Sequence, residues 1–453
     1  MSPQGRLELL ERALGVPGAD EIEICFCGGR AGATRFANSQ IVQSAVLEDP
    51  IVQVRAALGR RVGVARGSAA TRAGLAELGR HAVELARAGP ELPSFRGFAD
   101  PAPCPPEPSA FVAATAALAP ADRAQTLAGV FARAARHRLA CAGVFITGSL
   151  DLAVVNSRGV RASHHSSFAK LELIPADGDA SGYASFYGRD AAALDAARLA
   201  ERACEKAARM RDPIEVAPGA WDVVLEPPAV VESLEWIAMT AFGAKSVEEG
   251  ASFLAGRTGH AVTGSSVTWV DDARAGTLGV PPLPFDCEGV PKQRVVFVER
   301  GQAGRPCFDL RTAARAGAAA GSTGHAPPPS DDADGPMATH VEMAAGADTE
   351  AQLIEKVERG LLVTRFHYVN GLLDPRRALQ TGMTRDGLFA IENGRVTRGV
   401  RNLRFTEPML EAFARMDGAT RERAAVATTW TGAGGFVAPT VLLRGFTFTG
   451  QSR

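Results

Sequence analysis

The chain has 453 residues, 46% of them apolar and 22% charged, and its formal net charge is −1. That length exceeds one ordinary core and predicts two or three domains, with the composition of a folded globular protein and not a disordered one. Lys+Arg total 49 against 50 for Asp+Glu, so composition gives nucleic-acid binding no support, and no apolar run reaches the roughly 18 residues of a membrane span.

Leu7, Leu9, Leu10, Ala13 and Leu14 predict a short amphipathic helix at the N-terminus, unlike the apolar core of a signal peptide. From Glu21 to Cys27 polar and apolar residues alternate, the period of a half-buried strand. The pattern continues through 36–46 and 51–64, with Asp49-Pro50 and Gly59 as turns and Arg60-Arg61 facing solvent. Thr71 is placed to cap a helix over 73–88. The Pro-rich stretch 89–108 reads as an internal linker. A helix is expected over 122–138, then strands at 144–150, 152–156, 160–174 and 182–187. A long Ala-rich helix over 189–211 ends at Pro213 and Pro218-Gly219, where the domain boundary is expected.

Beyond a helix over 226–242, short apolar runs alternate with Gly, Pro and Asp, as at 294–299, 361–368, 387–391, 395–401 and 440–448. The expected fold class is therefore α+β, with an N-terminal mixed helix/strand domain at 1–215 and a β-rich domain at 216–453. Pro327 to Pro336 reads as an exposed loop, and no repeat of fixed period is present. The seven cysteines are Cys25, Cys27, Cys104, Cys141, Cys204, Cys287 and Cys307. Their odd number and lack of paired spacing predict reduced thiols and a cytoplasmic location.

The eight histidines offer no metal-binding spacing: none is followed by Glu, and no two lie three or four apart. His164-His165 falls in a strand, where neighbours point to opposite faces. His340-Val341-Glu342 lacks the Pro-Cys-x-x-Cys half of a deaminase site. Cys25 and Cys27 share one strand face and read as core filling. Gly264-Ser265-Ser266 is not a nucleophile elbow, and the glycines at 432–435 precede no Lys-Ser/Thr. Glu232 with Glu235 reads as a solvated helix edge, and Asp271-Asp272 as the end of a strand and a turn.

Several segments, in order, resemble the TldD/PmbA family, also called the modulator-of-gyrase family. They include Thr34-Arg35-Phe36-Ala37-Asn38-Ser39, Gly182-Tyr183, Gly188-Arg189-Asp190 and Ser252-Phe253-Leu254. Phe285-Asp286-Cys287-Glu288-Gly289, Ser322-Thr323-Gly324-His325, Ile391-Glu392-Asn393-Gly394 and Pro439-Thr440-Val441-Leu442 continue the series. The resemblance implies a two-subunit system in which a TldD-type chain carries a His-Glu-x-x-x-His zinc helix and a late cysteine ligand. Aligned on Val224-Leu225-Glu226-Pro227, this chain has Glu235, Trp236 and Thr240 at the three motif positions, and no cysteine after Cys307, with Thr428-Thr429-Trp430 instead. It therefore resembles the PmbA/TldE-type subunit.

That resemblance implies no catalytic residue and no metal in this chain, zinc in a TldD-type partner, and a shared cleft for unfolded or leader peptides. Asp286, Glu288, Thr323 and His325 are the candidate cleft residues, because loops on a rigid sheet commonly carry binding groups. Two other readings stand beside it: a stand-alone binding or modulator protein, and an enzyme using Glu232, Glu235 or His260 with a substituted metal. Cys287, where the family has Asp, sets the chain apart from its subfamily.

Overall fold

Two antiparallel-rich sheets divide the chain between them. The structure is a computed structural model and describes residues 2–104, 107–317, 321–330, 335–428 and 434–451. In the first half the strands are β1 (Glu21–Ala37), β2 (Gln40–Leu47), β3 (Ile51–Leu58), β4 (Arg61–Gly67), β5 (Ala140–Asn156), β6 (Arg161–Asp177), β7 (Ala180–Ser181) and β8 (Ala184–Gly188). They form a sheet in the order β4-β3-β1-β5-β6-β7, with β2 added to β1 and β8 to β6. The helices are α1 (Pro3–Glu11), α2 (Arg72–Ala88), α3 (Ala113–Ala116), α4 (Pro120–Arg136) and α5 (Ala196–Arg209). Leu75, Ala82 and Val83 of α2 bury against Val52, Val54 and Ala56, while α4 and α5 cover Phe145 and Leu171.

Local chemistry sets these boundaries. Thr71 Oγ1 accepts from Gly74 N at 3.1 Å and starts α2. The long helix expected over 189–211 begins only at Ala196, because Asp190 caps a single 3₁₀ turn and Asp195 caps α5 at 2.9 Å from Arg198 N. The two strands expected over 144–156 are one strand, β5, held by β1 on one side and β6 on the other.

The second half contains β9 (Gly219–Leu225), α6 (Pro227–Ala241), α7 (Ala244–Glu248), β10 (Trp269–Asp271), β11 (Val295–Glu299), β12 (Gln302–Ala303), α8 (Leu310–Ala316), β13 (Val341–Met343) and α9 (Glu350–Glu355). It continues with β14 (Arg359–Asp374), β15 (Leu379–Glu392), β16 (Arg395–Gly399), β17 (Leu403–Pro408), α10 (Met409–Ala414), β18 (Met416–Val426) and β19 (Phe436–Gln451). The order is β12-β11-β10-β13-β19-β17-β15-β14-β9, and β9 also pairs with β19. That last pairing closes β9, β14, β15, β17 and β19 into a ring, which leaves no open edge there.

The helix α6 lies deep in this half. Ala229, Val230, Leu234, Ile237, Ala238 and Ala241 are all buried, so it is apolar on nearly every side. The expected solvated edge is corrected accordingly: Glu235 is 2% exposed and Glu232 is partly buried. Asp271 ends β10, as expected, with the turn following Asp272, but its carboxylate is fully buried. Of the Pro-rich loop, Pro329, Gly335 and Pro336 are buried rather than exposed, and 331–334 lie outside the described residues. Thr429, Trp430 and 431–433 also lie outside them. No helix among the described residues is long and apolar enough to cross a membrane.

Candidate functional site

The three positions of α6 that the resemblance aligns with a zinc motif, Glu235, Trp236 and Thr240, hold residues already engaged in the fold. The Thr240 hydroxyl donates to the carbonyl of Trp236 at 2.7 Å, one turn back. Trp236 packs on Gly371 of β14, where an added Cβ would lie 3.0 Å from the Trp236 Cβ. Glu235 is buried beside Glu232, and neither imidazole nor thiol stands on the helix. These side chains do not fit a zinc ion, which needs imidazole, thiolate or accessible carboxylate donors arranged around it.

Glu232 of α6 lies near a polar cluster built from both halves of the chain. Arg365 of β14 bonds Asp386 of β15 at 2.7 Å through Nε, and Ser181 donates to the same carboxylate at 2.7 Å. The Arg365 guanidinium also lies 4.5 Å over the Tyr183 ring, whose hydroxyl reaches Glu172 at 3.3 Å. Burial pushes the Glu232 carboxyl up to about 7, Glu235 adding to the rise and Arg365 opposing it. A carboxyl of that pKa suits proton transfer at neutral pH, but it belongs to no metal-ligand cluster among the described residues. At the N-terminus of α6, Glu226 takes Arg202 at 2.9 Å and also Lys206, both from α5.

The four expected cleft residues lie together at the join between the sheets, and all are buried. Asp286 Oδ1 accepts from the backbone N–H of Glu288 and Val290, each at 2.9 Å, and Oδ2 accepts from Ala326 N at 2.8 Å. Those bonds tie its own turn to the segment after His325. Glu288 accepts from Arg55 at 2.9 Å and from Leu310 N at 2.9 Å. Thr323 exchanges bonds with the Phe308 backbone, and His325 Nδ1 sits 2.9 Å from the Thr323 carbonyl. The other His325 nitrogen stands 3.3 Å from Asp271 Oδ1.

Sequence reasoning missed the centre of this seam. Asp271 Oδ2 accepts from Thr339 N and His340 N at 2.9 Å each, and Lys292 Nζ lies 3.3 Å from Thr339 Oγ1. Burial alone would raise the Asp271 pKa, but Lys292 and His325 outweigh it and hold the carboxyl well below its usual range. Burial lowers His340 to about 4 and so keeps it neutral. On the N-terminal side, Arg55 pairs with Glu23 as well, at 2.7 Å through Nε. Burial pushes Glu23 up to about 8, with Arg55 opposing and Glu288 adding to the shift. One guanidinium shared by two buried carboxyls explains that balance.

A cavity of about 300 Å³ opens beside this seam. Apolar Val62, Leu92, Phe95 and Phe98 line it on the N-terminal side, and Glu288, Asp309, Arg311 and Pro327–Pro329 on the other. Of the four expected cleft residues only Glu288 borders it. His260, the remaining candidate of the substituted-metal reading, is exposed in a turn.

Residues 218–450 match the PmbA/TldA metallopeptidase C-terminal domain. The chain belongs to the PmbA/TldD family. It superposes on TldE from Thermococcus kodakarensis with a TM-score of 0.85, at 18% identity and over 99% of both chains. A Thermotoga maritima protein described as a candidate modulator of a DNA gyrase gives a TM-score of 0.82, again at 18% identity and 99% of both chains. At that identity the likeness is one of fold. An uncharacterized protein of Methanocaldococcus jannaschii is 35% identical over 107 residues, which span 23% of this chain and 24% of that protein.

Proposed function

We propose that this chain is the non-catalytic, TldE-like subunit of a heterodimeric zinc metallopeptidase. The observation that carries the reading is the state of α6, which keeps the fold of the family but has Glu235, Trp236 and Thr240 committed to packing and internal bonds. Zinc and general base then come from a TldD-type partner, and this chain supplies substrate alignment. The name of the Thermococcus kodakarensis structure supports the assignment to the TldE side.

In this reading residues 1–215 and 216–453 act as two domains whose junction helps to wall a peptide cleft, the cavity at Glu288 forming part of it. The substrates are unfolded or leader peptides in the cytoplasm. An extended peptide satisfies its backbone groups along a sheet edge, which gives affinity with little demand on sequence.

A partner surface is also available. Tyr368, Leu372 and Leu373 are 81%, 63% and 55% exposed on the β14–β15 hairpin, next to the Gly371 that packs on Trp236. Exposed apolar groups so grouped mark contact sites. Co-expression with a homologue bearing His-Glu-x-x-x-His tests the pairing: a complex of one copy each through size-exclusion chromatography is expected. Separate elution of the two chains overturns the subunit reading and leaves a stand-alone modulator in its place.

A further inference from the structure

Three of the seven cysteines converge where the N-terminal sheet meets the C-terminal half. Cys25 and Cys27 are two apart on β1, so strand alternation places both on one face. Cys287 arrives from the turn between Phe285 and Pro291, which Asp286 locks through its backbone bonds. Gly289 lets that turn lie flat on the sheet. Its φ is +76°, and a Cβ there would come within 2.6 Å of Val160 Cγ1.

The Cys27 sulfur lies 3.9 Å from that of Cys25 and 3.7 Å from that of Cys287. All three sulfurs fall within 4.8 Å of one another. Thiolates bound to zinc at about 2.3 Å stand about 3.8 Å apart along a tetrahedral edge. Packed thiols have similar spacing, so distance alone does not decide between a metal site and apolar filling.

Two further observations decide it. First, the sulfur triangle is not sealed: Cys27 is only half-buried, and Cys27 and Cys287 line a second cavity, of about 130 Å³. Second, His164 lines the same cavity. In register Cys27 pairs with Leu152 and Leu152 with His164, so the three share a sheet face. His164 is 8% exposed, and its Nε2 is buried with no hydrogen-bond partner among the described residues. A buried imidazole nitrogen left without a partner is costly, a cost an occupant of the cavity would relieve. Core filling explains neither the opening nor the waiting nitrogen.

We propose that Cys25, Cys27 and Cys287 form a three-thiolate site for one thiophilic d10 metal ion, Zn²⁺ or Cu⁺. Soft sulfur ligands select ions of this class. Cu⁺ is satisfied by the three sulfurs, whereas Zn²⁺ takes a water from the cavity that His164 also lines as its fourth ligand. Each metal–sulfur bond forms as a thiol releases its proton to solvent, with no change of oxidation state. The ion ties β1 to the turn carrying Cys287. Its role is to staple the two halves of the chain, and it is independent of the peptidase reading.

The test uses the full-length chain, reduced, stripped of metal and kept anaerobic. Titration with Co²⁺, displaced by Zn²⁺, forms one arm, and titration with Cu⁺ the other. One equivalent is expected in at least one arm, and in the cobalt arm with thiolate charge-transfer bands and the intense d–d bands of a four-coordinate site. Bound metal should slow alkylation of Cys25, Cys27 and Cys287 and leave Cys104, Cys141, Cys204 and Cys307 unchanged, as read by mass spectrometry. Cys27→Ser and Cys287→Ser should each weaken binding by about tenfold or more. Failure to bind one equivalent in either arm overturns the proposal. So does a protection pattern in the intact protein that omits these three thiols, a result that does not depend on whether the variants fold.

Discussion

Arg55 of β3 donates to Glu288 at 2.9 Å across 233 positions of sequence, and its Nε holds Glu23 of β1 at the same time. The pair joins the N-terminal sheet to the turn that carries Asp286 and Cys287. Both carboxyls are at least nine-tenths buried, so removing the cation leaves them without compensation. Arg55→Met should cost about 3–5 kcal/mol in urea unfolding. Adding Glu288→Gln should recover part of that loss, with a coupling of about 0.5–3 kcal/mol in the double-mutant cycle. A loss below about 0.5 kcal/mol, the range of ordinary surface changes, would show that the bridge holds nothing together.

Glu232 gives the protein a defined pH dependence. Its pKa is about 7 in the folded chain against 4.5 for the free side chain, so the folded state binds the extra proton between those values. Stability therefore falls as pH rises from 4.5 to 7, by up to about 3 kcal/mol from this group. Glu232→Gln should remove that slope and stabilise the chain at pH 8 more than at pH 5. Urea midpoints measured at the two values check the sign; an equal shift at both would mean that the carboxyl titrates normally.

Replacing Tyr368, Leu372 and Leu373 together by Ser should leave the melting temperature of the isolated chain nearly unchanged, because exposed positions contribute little to folding. The same triple variant should bind the zinc-bearing homologue about tenfold more weakly or worse, as loss of apolar anchors at an interface does. Undiminished binding, measured by titration calorimetry, would place the partner elsewhere.

Much of the fold was legible from periodicity. The alternation at 21–27 and the β-rich character beyond residue 218 correspond to β1 and to the second sheet, and together with the helices they give the α+β class. Boundaries were less legible, because pairing decides them: β5 runs unbroken through Ser149-Leu150-Asp151 only because β1 and β6 flank it. The absence of a His-Glu-x-x-x-His pattern from α6 was visible directly, since it depends only on residue identity and spacing. The burial of Glu235 was not, because α6 is enclosed by strands far away in sequence. The same holds for Asp271 with His325 and for Cys27 with Cys287, which the fold brings together across 54 and 260 positions. A cysteine standing where the family has Asp was the one local sign of the thiol cluster, and it said nothing of Cys25 and Cys27.

The most direct measurement is peptide cleavage by the zinc-bearing homologue with and without this chain. An unstructured peptide serves as substrate, and each chain is also assayed alone. The account predicts no cleavage by this chain, little by the homologue, and a rise of about tenfold or more when the two are mixed in equal amounts, as alignment of a bound substrate provides. Cleavage by the homologue at the same rate in the presence and absence of this chain would contradict it.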